Sequence, residues 1–95
     1  MQILALEKEE PDVTAEPFAP LLKAEALRVW ELYQSGVIRE IYFRADEHSA
    51  VIILECEGLA QAETMLQNLP LVQAGLIRFE LIPLAPYPGF GRLFS

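Results

Sequence analysis

The stretches VIREIYFRA (37–45), DEHS (46–49) and AVIILECE (50–57) read as two antiparallel strands joined by a polar turn. If Ala45 faces Ala50 across that turn, the alternation of a pleated ladder puts Ile41, Phe43, Ile52 and Leu54 on one face. Tyr42, Arg44, Val51 and Ile53 share the other face, with Glu40 and Glu55 at its far end. An antiparallel sheet with one wet side needs only one apolar face. Here both are largely apolar, so each must be covered.

The flanking segments supply the cover for one of them. Upstream, Gln2 to Leu6 reads as a first strand, and Glu7 to Asp12, interrupted by Pro11, as a solvated acidic connection. Pro17 suits a first helical turn, Thr14 or Glu16 can cap it, and Ser35-Gly36 supplies a stop, so a long helix is predicted over Pro17 to Ser35. At helical spacing Phe18, Leu21, Leu22, Ala26, Val29, Leu32 and Tyr33 form an apolar stripe, while Lys23, Glu31 and Gln34 point away. Glu25 falls inside the stripe, so its carboxylate starts from an apolar surface facing the sheet.

Downstream, Gly58 precedes a second helix, Leu59 to Asn68, with Leu59, Ala62, Met65, Leu66 and Leu69 at helical spacing and Pro70 as its end. Leu76 to Leu84 reads as a fourth strand, introduced by Gly75 and closed by Pro83. Residues 84–95 form an extended tail in which Tyr87, Phe90, Leu93 and Phe94 argue for docking, most simply on a neighbouring subunit. The order strand, helix, strand, strand, helix, strand is the split βαβ pattern of an α+β, ferredoxin-like βαββαβ sandwich. Its antiparallel sheet carries both helices on one face and leaves the other, with Tyr42, Val51 and Ile53, for a second protomer. Two such sheets make a dimeric α/β barrel.

Composition agrees and excludes much. A chain of 95 residues suits one domain. Its 53% hydrophobic content against 22% charged exceeds what so small a core needs, which points to a subunit interface or a ligand cavity. The net charge of −7, with no gathered Lys or Arg, opposes nucleic acid. No apolar run is long enough for a membrane helix and the start lacks signal-peptide character, so a cytoplasmic protein is expected. Cys56 is the sole cysteine and reads as a small core hydrophobe; with one His it cannot close a zinc site, so no metal is expected.

Glu25, Gly36 eleven residues later, Arg39, Tyr42, the acidic Glu55 and the sequence Leu69-Pro70-Leu71 together resemble the muconolactone isomerase-like family of the dimeric α/β-barrel superfamily. The chain departs from that family where Tyr42 stands in place of Trp, Phe43 in place of Arg, and Asp46 in place of a turn glycine. The resemblance implies a homodimer, or a larger ring built on it, and a cofactor-independent isomerase that moves a double bond in a lactone or related oxo acid. It implies Glu25 as the proton-transfer base, for which an apolar setting raises the carboxyl pKa towards neutrality. Arg39 or Arg44 would hold an acidic or carbonyl group, Tyr42 or Tyr33 would orient it, and His48 in the turn is a further binding candidate. Two alternatives use the same scaffold. One is a cofactor-free monooxygenase, with Trp30, Tyr33 and Phe43 lining its cavity; the other is a non-catalytic ligand-binding or assembly protein, in which Glu25 is paired or exposed.

Overall fold

The computed structural model describes residues 1–11 and 14–95. Its sheet is built from β1 (Gln2–Glu9), β2 (Ile38–Phe43), β3 (Ala50–Glu55) and β4 (Ile77–Pro83) in the order β2-β3-β1-β4, with every neighbouring pair antiparallel. Helix α1 (Leu22–Gln34) joins β1 to β2, and α2 (Leu59–Gln67) with the short α3 (Pro70–Gln73) joins β3 to β4. This is the α+β architecture expected from the sequence.

The core lies between the sheet and the helices. Ile3 and Ala5 of β1, Ile52 and Leu54 of β3 and Ile38 of β2 pack against Leu32 of α1 and against Ala62, Leu66 and Leu69 after it. Both connections therefore cover one sheet face. On the opposite face Leu4, Leu6, Val51, Ile53 and Ile82 remain only half-buried, and Tyr42 is exposed.

Four details differ from the sequence reading. The β2–β3 register pairs Phe43 with Ala50 rather than Ala45 with Ala50, a shift of two residues. Because side chains alternate with period two, the shift leaves every one of these residues on its expected face. A bulge between Ile38 and Glu40 then breaks the alternation, and this lets Ile38 and Ile41 both serve the helix-covered side. Third, β1 does not stop at Leu6. It runs to Glu9 because β4 pairs with it from Ile3↔Pro83 to Glu9↔Ile77, so Glu7 to Glu9 are strand, not loop; the Asp12 end of the expected connection lies outside the described residues. On the outer face Lys8 approaches Glu80 (4.0 Å), which accommodates the charge there.

The fourth difference is the start of α1. Ala19–Leu21 forms a 3-10 turn and the α-helix begins only at Leu22, with neither Thr14 nor Glu16 capping it. Pro20 explains this: it has no N–H for an α-helical bond, and its ring would strike the carbonyl four residues back. At the other end Gly36, with φ +87°, takes the left-handed conformation that ends the helix, as Ser35-Gly36 led one to expect.

The shared core makes one stability prediction. Leu54 is fully buried in the β3 row that meets both helical connections. Leu54→Ala should cost about 2–5 kcal/mol in denaturant unfolding; a loss below about 1 kcal/mol would mean that the helices do not close on this row.

Candidate functional site

Between α1 and the sheet lies a cavity of about 250 Å³. Leu22, Val29, Ile41, Phe43, Ile52 and Leu71 supply much of its apolar wall, and two carboxylates break it, Glu25 of α1 and Glu7 of β1. The volume is just under the roughly 300–1,000 Å³ typical of drug-sized sites, so it suits one small ring.

Each carboxylate is fixed by a single backbone donor. Leu71 N–H donates to Glu25 Oε1 at 2.9 Å. The donor is available because Leu69 is extended and Pro70, which has no N–H, opens α3, leaving the Leu71 N–H at the start of that helix without an intrahelical acceptor. Pro70 thus ends α2, as expected, and also starts the turn that holds Glu25. Ala50 N–H donates to Glu7 Oε1 at 3.1 Å. Here the β1–β3 ladder stops at Leu6↔Val51, and the Glu7 side chain takes the next strand donor in place of a backbone carbonyl.

Burial is the main influence on both groups, and it pushes both pKa values up. For Glu25 the Leu71 hydrogen bond opposes burial and loses. For Glu7 burial again outweighs its backbone bond, from Ala50, and the like charges of Glu9 and Glu25 add to the rise. The balance is reasonable physically: the penalty for an ion in a protein interior is several kcal/mol, whereas one charge-assisted hydrogen bond returns about 1.5–3 kcal/mol. Neither carboxylate has a salt-bridge partner among the described residues. Both can therefore exchange a proton at a pH nearer neutrality than an ordinary Glu.

The remaining sequence candidates lie elsewhere. Arg39 Nε donates to Gly36 O at 2.9 Å, and with Tyr33 and Tyr42 it lines an open groove of about 710 Å³ along the edge of α1 and β2, which adjoins the cavity through the shared wall residues Ala26, Val29 and Ile41. In that groove Tyr33 stacks on Trp30 with ring centroids 5.9 Å apart, while Tyr42 Oη donates to Glu40 Oε1. That hydrogen bond and the Glu40 charge raise the Tyr42 pKa. Arg44 is held by Asp46 and Glu47 at 2.6 Å each in the exposed turn, and His48 sits edge-on to Phe43. None of Arg39, Arg44, Tyr33, Tyr42 and His48 lines the cavity of Glu25. Phe43, expected only as an apolar face residue or an oxygenase wall, does. Among the described residues no group of three or more His, Cys, Asp or Glu converges on a metal-sized site.

The chain belongs to the muconolactone delta-isomerase family. The match spans residues 4–89, which takes in Glu7, Glu25 and the Leu69-Pro70-Leu71 segment. Among solved structures, the fold is similar to that of muconolactone isomerase, with TM-score 0.76 and 18% identity over 93% of this chain and 92% of that one. It is also similar to 5-chloro-2-hydroxyhydroquinone dehydrochlorinase from Burkholderia phenoliruptrix in complex with 2,5-dihydroxybenzoquinone, with TM-score 0.71 and 16% identity over 94% and 98% of the two chains. No curated protein matches the sequence. At such identities the structural likeness concerns the fold, and the family match carries the kinship.

Glu7 escapes a reading of the sequence because the run of charges around it resembles a loop. The signal was present: Ile3, Ala5 and Glu7 are spaced by two and fall on one strand face.

A stability prediction follows for Glu25. Its folded pKa is raised above the unfolded value, so its contribution is most favourable at low pH and is lost as pH rises through the folded pKa. Glu25→Gln keeps an oxygen for Leu71 N–H and removes the charge. The variant should melt about 1–3 °C above wild type near pH 8, with the gap closing towards the ordinary Glu range of about 4.3. A variant that melts lower at the alkaline end would contradict a burial-dominated carboxylate.

Proposed function

We propose that this member of the muconolactone delta-isomerase family is a cofactor-independent proton-transfer enzyme that shifts a double bond in a small lactone or related carbonyl compound. The observation that carries the reading is the half-buried Glu25 carboxylate, tethered by Leu71 N–H in the wall of a small apolar cavity with no ion-pair partner among the described residues. A tethered carboxylate of raised pKa suits the task. It is basic enough to take a proton from carbon beside a carbonyl, and protonated often enough to return one. Family membership supports the same reaction type. Activity should increase with pH as Glu25 ionises, and the midpoint should lie above the ordinary Glu range.

The reading includes a homodimer, or a larger ring built from it. Leu4, Leu6, Tyr42, Val51, Ile53 and Ile82 present an apolar sheet face that no element among the described residues covers. In the tail, Tyr87, Phe90, Leu93 and Phe94 are all exposed, which favours its docking on a neighbouring copy.

Two measurements test this. Glu25→Gln should lower turnover of an unsaturated lactone by roughly 10²–10⁴-fold with the circular dichroism spectrum unchanged; full activity in the variant would exclude Glu25 as the base and leave a ligand-binding role. Ile53→Lys places a charge in the uncovered face, and light scattering should then report a smaller assembly than wild type. A wild-type monomer at micromolar concentration would remove the dimer from the reading.

A further inference from the structure

The cavity that takes Glu25 has a second carboxylate in its wall, and among the described residues its lining includes no Lys, Arg or His. Glu25 Oε1 is tied to Leu71 N–H and Glu7 Oε1 to Ala50 N–H; no other donor among the described residues reaches either carboxylate. Arg28, on the same helix as Glu25, lies 3.8 Å from Glu31, Arg39 donates to Gly36 O, and Arg44 is held by Asp46 and Glu47. An anionic ligand would thus bring a further negative charge beside the Glu25 carboxylate into a confined apolar space, where charges interact far more strongly than in water. An uncharged ring meets no such opposition. Its carbonyl or hydroxyl can hydrogen-bond to whichever carboxyl is protonated or ionised.

We propose that Glu7 is the second acid–base group of this site, and that the Glu7–Glu25 cavity selects an uncharged unsaturated lactone or cyclic enone over its carboxylate-bearing counterpart. The proposal rests on the proton-transfer reading of Glu25 and adds the substrate class and the second group. The Glu25 carboxylate takes a C–H proton beside the carbonyl, and the electron pair spreads through the unsaturated system onto the carbonyl oxygen. Neutral Glu7 then gives its proton to the remote carbon, where a new C–H bond forms as the double bond settles in its new place. Glu25 ends protonated and Glu7 ionised, so atoms and charge balance with no co-reactant. Resetting requires only exchange with water. Glu7 also borders a polar groove of about 500 Å³ with Lys8, Glu9, Glu47, His48 and Arg78, which opens to solvent. Burial and the neighbouring Glu9 and Glu25 favour the neutral form of Glu7, which the second half-step needs.

The test is a matched pair of probes, an alkyl-substituted unsaturated γ-lactone and the same ring carrying a carboxymethyl group, titrated into the whole chain near neutral pH with binding read by NMR. The uncharged lactone should bind ~10-fold or more tightly than the acid, and Glu25→Gln, which removes the ionised group, should shrink that ratio, whereas Glu7→Gln replaces one neutral group by another and should leave it in place. Both variants keep an oxygen for their backbone donor, and equal melting curves would establish that they fold. Turnover in D2O gives a second readout. Wild type should place solvent deuterium at the remote carbon, and Glu7→Gln should lower that incorporation as Glu25 alone returns the proton it took. Equal or tighter binding of the acid, a ratio unmoved by Glu25→Gln, deuterium incorporation unchanged in Glu7→Gln, or no binding of the uncharged lactone up to roughly 10 mM would overturn the proposal. Glu25-dependent turnover of the acid would leave the proton-transfer reading standing and remove only this inference. Selective binding of the uncharged ring without any turnover would do the reverse for the charge selectivity, and would end the assignment of Glu7 as an acid.

Discussion

A carboxylate half-buried in an apolar cavity with one backbone N–H as its partner is the constraint on which the rest of the arrangement turns. Two donors would hold the ion too firmly and draw its pKa down; none would leave it neutral or swung towards water. The single donor exists at Glu25 because Pro70 interrupts the second helical connection directly after the buried Leu69. That interruption starts a new turn whose first available N–H meets a side chain from α1, forty-six residues earlier in sequence. The position of α1 over the sheet, set by Leu32 and Val29 against the core, then brings the carboxylate to the donor.

The same economy operates at Glu7. A charged residue in a central strand is costly unless its backbone is paired and its head finds a donor. β4 pairs with β1 along Glu7 to Glu9, which allows β1 to part from β3 after Leu6 and free the Ala50 N–H. One strand edge thus serves two ends: it completes the sheet on the β4 side and supplies a side-chain acceptor on the other. Because the cavity wall is otherwise apolar, both carboxylates are held at a cost in folding stability that a Gln in either place would not incur.

How much of this could be read from the sequence depended on which periodicity was at stake. The face shared by Ile41, Phe43, Ile52 and Leu54 survived a two-residue error in register, since an even shift preserves sides. Glu25 was legible because a charged residue inside a helical apolar stripe is conspicuous. Glu7 was not, because its neighbours Lys8, Glu9 and Glu10 resemble a solvated connection and the pairing that makes them strand comes from β4, seventy residues on. Pro20 was the overlooked reason that α1 starts at Leu22. The bulge at Ile38–Glu40 has no composition signal, and Arg39 depends on it for its placement beside Gly36.

Kinship within the muconolactone delta-isomerase family fixes the scaffold, and similarity to two solved folds at 16% and 18% identity shows how much of the sequence can change while that scaffold persists. What an enzyme of this kind accepts is decided by the charges its cavity presents, more than by the sheet beneath. The two arginines that the sequence offers for an acidic group lie outside the cavity lining, Arg39 with its Nε on a backbone carbonyl and Arg44 on two turn carboxylates. Inside, the polar groups are both acids, supplied by different elements, a helix for Glu25 and a strand for Glu7. A proton taken by one need not be returned by the same group. The distribution of charge therefore argues for a ring that carries no charge of its own, on which one carboxyl acts as base while the other holds the proton that completes the shift.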